Sequence, residues 1–505
     1  MKRGLSTLIS LRRPLLAVSA ALAAAGSLTW IGIGAQAAPT TVTAAGTVLQ
    51  TNLVSDLPGA AAVTDPNLVN PWGISESAGS PFWISDNNAG LATLYQVPGA
   101  SNTPVSVNSL AVNIPTPVSP TGGAPDGTVF NPALAGGAFK ITGTGKNGNP
   151  ATAPAVFLFA TEDGTITGWN PGVDPTGKFA GPNGVSAQAA IAVDNSGNNF
   201  TNPNPSEQAG AVYKGLTVAT SNTPIVTGDA ASTALLYAAN FRSGTIDIYD
   251  ANLSKVMATA LPTGAFTDPQ LPTGYAPFNV QVLNEKVYVT YARQNTIKHD
   301  DLPGPHRGFV DVFNLDGTPG LPGGTIRLIS RGPLDSPWGL AIAPQGFAGF
   351  TAPNGDPVLL VGNFGDGRVH AFDAIHGTRL GQLTDPDGEP IQIDKLWALK
   401  VGNGKAGGDA NTVYFTAGIF DEAHGLFGSF TTVAPGSPEG PAEGQLVQAD
   451  LDVVQLDVQH LNQDLSSGAA PATIKQDAQT LNADTRELAD TERAFAADAI
   501  SDTTP

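Results

Sequence analysis

Ala234-Leu235-Leu236-Tyr237-Ala238-Ala239-Asn240-Phe241-Arg242-Ser243-Gly244-Thr245-Ile246-Asp247-Ile248-Tyr249 reads as two strands and the turn between them. Ala234 to Ala239 is continuously apolar, as suits a strand covered on both faces. Ile246 and Ile248 alternate with Thr245 and Asp247, the period of a strand. Arg242-Ser243-Gly244 is the tight turn that joins them. A glycine followed five residues later by an aromatic residue recurs as Gly90/Tyr95, Gly164/Trp169, Gly244/Tyr249, Gly308/Phe313, Gly367/Phe372 and Gly425/Phe430. Successive glycines lie 74, 80, 64, 59 and 58 residues apart, and an apolar run precedes each. Six copies of a strand-turn-strand unit predict an all-β fold, a six-bladed β-propeller in which these units supply the second and third strands of four-stranded blades.

The innermost strands recur as well. Pro71-Trp72-Gly73-Ile74, Pro277-Phe278-Asn279-Val280, Pro337-Trp338-Gly339-Leu340 and Leu396-Trp397-Ala398-Leu399 match one another closely. Tyr213-Lys214-Gly215-Leu216 is a weaker copy, and Thr128-Val129-Phe130-Asn131 is read as the copy in blade two. Proline suits a strand's first position, where no ladder N–H is required. The tryptophans are expected to pack between blades. The last blade lacks a fourth strand, whereas Thr47–Val54 is strand-like with no blade of its own. Pairing it beside Gly425–Phe430 would close the ring and cover an open edge.

The chain carries 43 acidic and 24 basic residues, a net charge of −19. Such a surface repels phosphate backbones and anionic headgroups, which excludes nucleic acid as a favoured partner and leaves cationic ligands and divalent metals. There is no cysteine, so disulfides, thiolate metal sites and thiol catalysis are excluded. Residues 1–37 read as a signal peptide, with Lys2, Arg3, Arg12 and Arg13 ahead of an uncharged run and Ala35-Gln36-Ala37 at the cleavage position. The expectation is export to the periplasm or beyond, by the Sec or the twin-arginine route, with no membrane span after cleavage.

Asn70-Pro71-Trp72-Gly73-Ile74 through Ser85-Asp86-Asn87-Asn88 resembles an NHL repeat, as does Ser336-Pro337-Trp338-Gly339-Leu340 through Gly362-Asn363-Phe364-Gly365-Asp366-Gly367. From about Gln50 to Val433 the chain resembles a bacterial family of exported, uncharacterised NHL-like propellers. The matching phrases are Gln50-Thr51-Asn52-Leu53-Val54-Ser55-Asp56, Ala160-Thr161-Glu162-Asp163-Gly164-Thr165-Ile166, Lys298-His299-Asp300-Asp301 and His424-Gly425-Leu426-Phe427-Gly428-Ser429. That resemblance implies fold and export and lends no activity.

The reading therefore places a propeller over residues 47–433, a proline-bearing linker over 434–443 and an amphipathic helical tail over 444–505. In the tail, Val447, Leu451, Val454, Val458, Leu461 and Leu465 form one apolar stripe, and Ile474, Leu481, Leu488 and Phe495 recur at seven-residue steps. A helical hairpin is the expected arrangement, with docking on the propeller and self-association as the alternatives.

No HExxH, nucleophile elbow or EF-hand loop is present. In a propeller, loops between second and third strands share one face with the starts of the innermost strands. That face gathers oxygen ligands suited to a hard cation such as calcium: Asp86, Glu162, Asp163, Asn240, Asn363, Asp421 and His424. The long blade-four loop Asn295–Arg307 adds His299, Asp300 and Asp301, a spacing that suits a metal. Two functions stay open. One is a non-catalytic scaffold that binds a small molecule or a protein on the loop face. The other, implied by resemblance to lactonase-like six-bladed propellers, is a metal-dependent hydrolase of lactones or esters at the channel mouth.

Overall fold

The computed structural model describes residues 45–99, 105–197 and 210–437. Within them the six repeats fold into six sheets of mainly antiparallel strands, five of them starting on the strand that the sequence marks as innermost. Blade one is Pro71–Ser75, Phe82–Asp86 and Leu91–Gln96, with an outer strand broken into Ser106–Val107 and Val112–Asn113. Blade two is Pro125–Phe130, Phe157–Thr161, Thr165–Trp169 and Ala190–Asp194. Blade three has Tyr213–Thr220, Ala234–Asn240 and Thr245–Tyr249, and its fourth position is the single bridge Tyr249 to Lys255. Blade four is Tyr275–Leu283, Lys286–Arg293, Phe309–Phe313 and Arg327–Ser330. Blade five is Pro337–Ile342, Val358–Asn363, Val369–Asp373 and Arg379–Gln382.

Blade six closes the ring. Leu396–Val401, Val413–Ala417 and Leu426–Thr432 are completed by Val48–Ser55, which runs antiparallel to Leu426–Thr432 from Val48 opposite Thr432 to Ser55 opposite Leu426. The closing strand is thus drawn from the far end of the fold, as the missing-strand argument requires. Ser55 Oγ donates to Gly425 O at 2.7 Å, and His424 Nδ1 lies 2.7 Å from Asp56, so polar contacts clamp the end of the seam.

Every glycine of the six pairs lies just before its third strand, for two different reasons. Gly244 has φ of 74° with open space where a Cβ would stand, so the turn demands it. Gly425 has no such φ, and a Cβ there would strike Leu68 O, so packing demands it. Along the inner strands Gly73, Gly127, Gly215 and Gly339 each face the backbone or side chain of the next blade's inner strand. The small residue lets consecutive inner strands approach and gives the ring its tight bore.

Two expectations are corrected here. The inner strand of blade two begins at Pro125, so its copy of the motif is Pro125-Asp126-Gly127. The expected Thr128–Asn131 copy lies three residues too late, because Asp126 stands where four sister strands carry Trp or Phe. The tryptophans of the inner strands do not separate blades. Trp72 and Trp397 stack with centroids 3.4 Å apart, and Trp338 meets both edge-on at 6.2 and 5.9 Å. Blades one and five are not neighbours, so a Trp72–Trp338 contact can be made only across the axis. The rings plug the channel.

The signal segment 1–37, the helical tail 444–505 and most of the linker 434–443 lie outside the described residues.

Candidate functional site

One position of the repeat builds the axis. It is the second residue of the inner strand in every blade but the fourth, where the strand starts earlier and it is the fourth residue; in blades one to six it is Trp72, Asp126, Lys214, Phe278, Trp338 and Trp397. At every one of them the pairing with the second strand slips, leaving the residue outside the regular ladder. Such a bulge bends a strand and re-aims a side chain. Here it turns six side chains inward together. Four are aromatic; Asp126 and Lys214 interrupt them with opposite charges.

Lys214 is 1% exposed. Its Nζ pairs with Glu162, from the turn after the second strand of blade two, and lies 4.6 Å from the Trp72 ring centroid. Burial opposes the ammonium charge, but Glu162 and Asp126 outweigh it and hold the lysine above its ordinary value. Asp126 is wholly buried; burial, with Glu162 beside it, pushes its carboxyl well up against the pull of Lys214. Asn87 Nδ2 ties the two acids, donating to Asp126 at 2.7 Å and to Glu162 Oε2 at 3.3 Å.

Above this plug lies a cavity of about 350 Å³. Its floor is Trp72, Trp397 and Phe364, with Phe364 stacked on Trp397 at 4.1 Å. Its walls are polar: Asn70, Asn87, Asn88, Glu162, Lys214, Asp300, Asp301, Asp421 and Glu422. Asn70 links floor to wall, accepting from Trp397 Nε1 at 3.1 Å and donating to Glu422 at 3.2 Å.

Glu422 arrives on a strained turn. Phe420, Asp421 and Glu422 all have positive φ, at 58°, 51° and 71°. Left-handed backbone costs such residues about 1–2 kcal/mol each. The turn is held by Asn88 Nδ2 on Glu422 O at 2.7 Å and by Asp421 N–H on Asp394 at 3.2 Å. Burial pushes the Glu422 carboxyl up to about 7, with Lys214 opposing. Asp301 is pushed up to about 6 by the same cause, and its Oδ2 is buried with no hydrogen-bond partner among the described residues.

The predicted ligands separate into those the cavity gathers and those the scaffold uses. Glu162, Asp300, Asp301 and Asp421 line it, and His299 stands beside them, 2.6 Å from Asp300 and 3.9 Å from Glu162. The other five are engaged elsewhere. Asp86 is buried within blade one and accepts from Thr93 N–H at 3.1 Å. Asp163 accepts from Ala124 N–H at 2.8 Å, and burial raises it to about 6. Asn240 donates to Asp247 at 3.1 Å, Asn363 donates to Asp366 at 2.9 Å, and His424 holds Asp56. Turn chemistry accounts for these.

Glu162, His299 and Asp300 offer ligand atoms within 4.8 Å of one another. The set fits a resident divalent cation poorly, because the Lys214 ammonium and the Asn87 carboxamide already hold the two oxygens of Glu162. Lys214 and Asp126 were missed in the sequence. The signal was present in alignment: a charged residue where sister strands carry Trp or Phe points into the bore.

The chain is 32% identical to an uncharacterised protein of Acanthamoeba polyphaga mimivirus over 379 residues, 75% of this chain and 78% of that protein. It is 31% identical to a second uncharacterised mimivirus protein over 380 residues, 75% of this chain and 84% of that one. No protein-family model matches the chain. Among solved structures it is similar to a virginiamycin B lyase from Staphylococcus aureus, with 13% identity, TM-score 0.34, and coverage of 77% of this chain and 99% of that one. It is also similar to an α-L-arabinofuranosidase from Fusarium graminearum, with 9% identity, TM-score 0.41, and coverage of 77% and 98%.

Proposed function

The chain belongs to one family with the two mimivirus proteins, and we propose that it is an exported, NHL-like propeller that binds a small organic molecule in the axial cavity. The observation that carries this reading is the cavity itself: about 350 Å³, aromatic below and polar around. That size is that of a small-molecule site, and its lining is more polar than such sites usually have. Export is supported by the basic, then uncharged, first 37 residues. Binding without catalysis is favoured because Lys214 and Asn87 already engage both oxygens of the wall carboxylate Glu162.

A ligand in the cavity lies close to Trp72 and Trp397 and changes their emission. The test is a fluorescence screen of a small-molecule library against the whole protein, with hits checked for loss in Asn88→Ala. A screen without a saturable hit ends the reading. The alternative, a metal-dependent hydrolase, draws on the Glu162–His299–Asp300 group. Calorimetric titration with calcium, magnesium, manganese and zinc decides it, and silence with all four removes it.

A further inference from the structure

The floor of the cavity has no free ring face. Trp397 lies between Trp72 at 3.4 Å and Phe364 at 4.1 Å. Lys214 sits 4.6 Å from the Trp72 centroid, and Lys395 sits 4.9 Å from that of Phe364. A neutral sugar or a planar ring therefore finds nothing to stack on. What the floor presents is ring edges, which are electropositive and attract an acceptor oxygen. Trp72 lines the cavity, and its indole N–H is buried with no acceptor among the described residues.

The walls have the opposite need. Both lysines are committed, Lys214 to Glu162 and Lys395 to Asp421 at 3.0 Å. Asp300 takes His299 and, at 3.1 Å, Asn295. Two carboxylates remain short of a donor. Asp301 has its own N–H and the Ser336 hydroxyl close to its carboxyl, yet its buried Oδ2 makes no hydrogen bond among the described residues, and the Glu422 carboxylate takes one there, from Asn70.

We infer that the cavity takes a compact organic cation that also carries an acceptor oxygen, an amine with a neighbouring hydroxyl, its N–H groups on Asp301 and Glu422 and its oxygen on the Trp72 N–H. The inference rests on the small-molecule reading above and names its ligand class. Partner-poor carboxylates in a desolvated site gain most from a charged donor. Asp301 and Glu422, raised to about 6 and about 7, hold part of their protons near neutrality. A cation expels those protons, so binding strengthens as pH rises through this window, until the amine itself titrates. The other charged and titratable groups around the pair are Lys214, Lys395, Glu162, Asp300 and Asp421, with His299 beside Asp300.

The experiment uses three probes of one shape and different charge: glucosamine, glucose and glucuronate, titrated calorimetrically into the whole protein. Two buffers of different ionisation enthalpy report proton release. Glucosamine is expected to bind at least about tenfold tighter than the other two, with proton release near neutral pH. Asp301→Asn and Glu422→Gln are each expected to weaken it by about tenfold, the worth of one charge-assisted hydrogen bond, with the melting temperature held or raised. Glucose or glucuronate binding as tightly as glucosamine overturns the cation and leaves the small-molecule reading standing. So does a failure of all three when the library screen has given hits. Failure of both experiments removes the two readings together.

Discussion

Lys214 stands where sister strands carry Trp72, Trp338 and Trp397, and it is buried to the same degree. A buried ion pair contributes little net stability over an apolar replacement, whereas removal of one partner strands the other charge. Lys214→Met is therefore expected to cost about 3–5 kcal/mol in denaturant unfolding, because it leaves Glu162 and Asp126 without their cation. Lys214→Met combined with Glu162→Gln and Asp126→Asn is expected to recover most of that loss. A single variant as stable as the parent would show that the pair is not coupled. Glu422 gives a prediction with a sign. Its folded-state pKa is raised from 4.5 to about 7, so between those values the folded protein holds a proton that the unfolded chain has lost. Stability contributed at this site falls as pH climbs through that window and is level above it. The melting temperature of Glu422→Gln should draw above that of the parent between those pH values and hold its lead beyond. Parallel curves across the range would refute the assignment.

Inner strands and turns use glycine for unlike reasons, and the two uses have unlike consequences. Gly244→Ala meets open space and pays only for its left-handed backbone, about 1–2 kcal/mol. Gly215→Ala drives a methyl group into Asn279 and the backbone of Val280, on the neighbouring inner strand. It is expected to be the more destabilising of the two and to disturb Lys214 next to it; thermal melts rank the pair, and equal shifts would contradict the packing argument. The blade-four loop between Lys286–Arg293 and Phe309–Phe313 was legible as the irregular loop on the binding face. Its His299, Asp300 and Asp301 do reach the cavity region. Asp86, Asp163, Asn240 and Asn363 were read with equal weight and serve their own blades. In a sequence an acidic turn residue looks the same whether its carboxylate faces the bore or the backbone N–H beside it.

At the scale of the ring, stability depends on one seam. Deletion of the residues through Ser55 leaves Leu426–Thr432 as an open strand edge, and such edges pair with other chains. The shortened protein is expected to melt lower and to form aggregates seen by light scattering; an unchanged monomer would mean that the seam is not the lock. Six blades, their third strands and the closing segment were all legible, because glycine–aromatic spacing and strand period are local signals repeated six times. The amino-acid sequence by itself determined the ring, its blade count and the source of its last strand. Only the tertiary structure decided what occupies the axis. Side chains from blades that are not neighbours meet there, and a bulge at one repeat position, invisible in any single strand, turns Trp72, Asp126, Lys214, Phe278, Trp338 and Trp397 toward each other. Convergence of residues some 325 positions apart is a property of closure, and no local pattern records it.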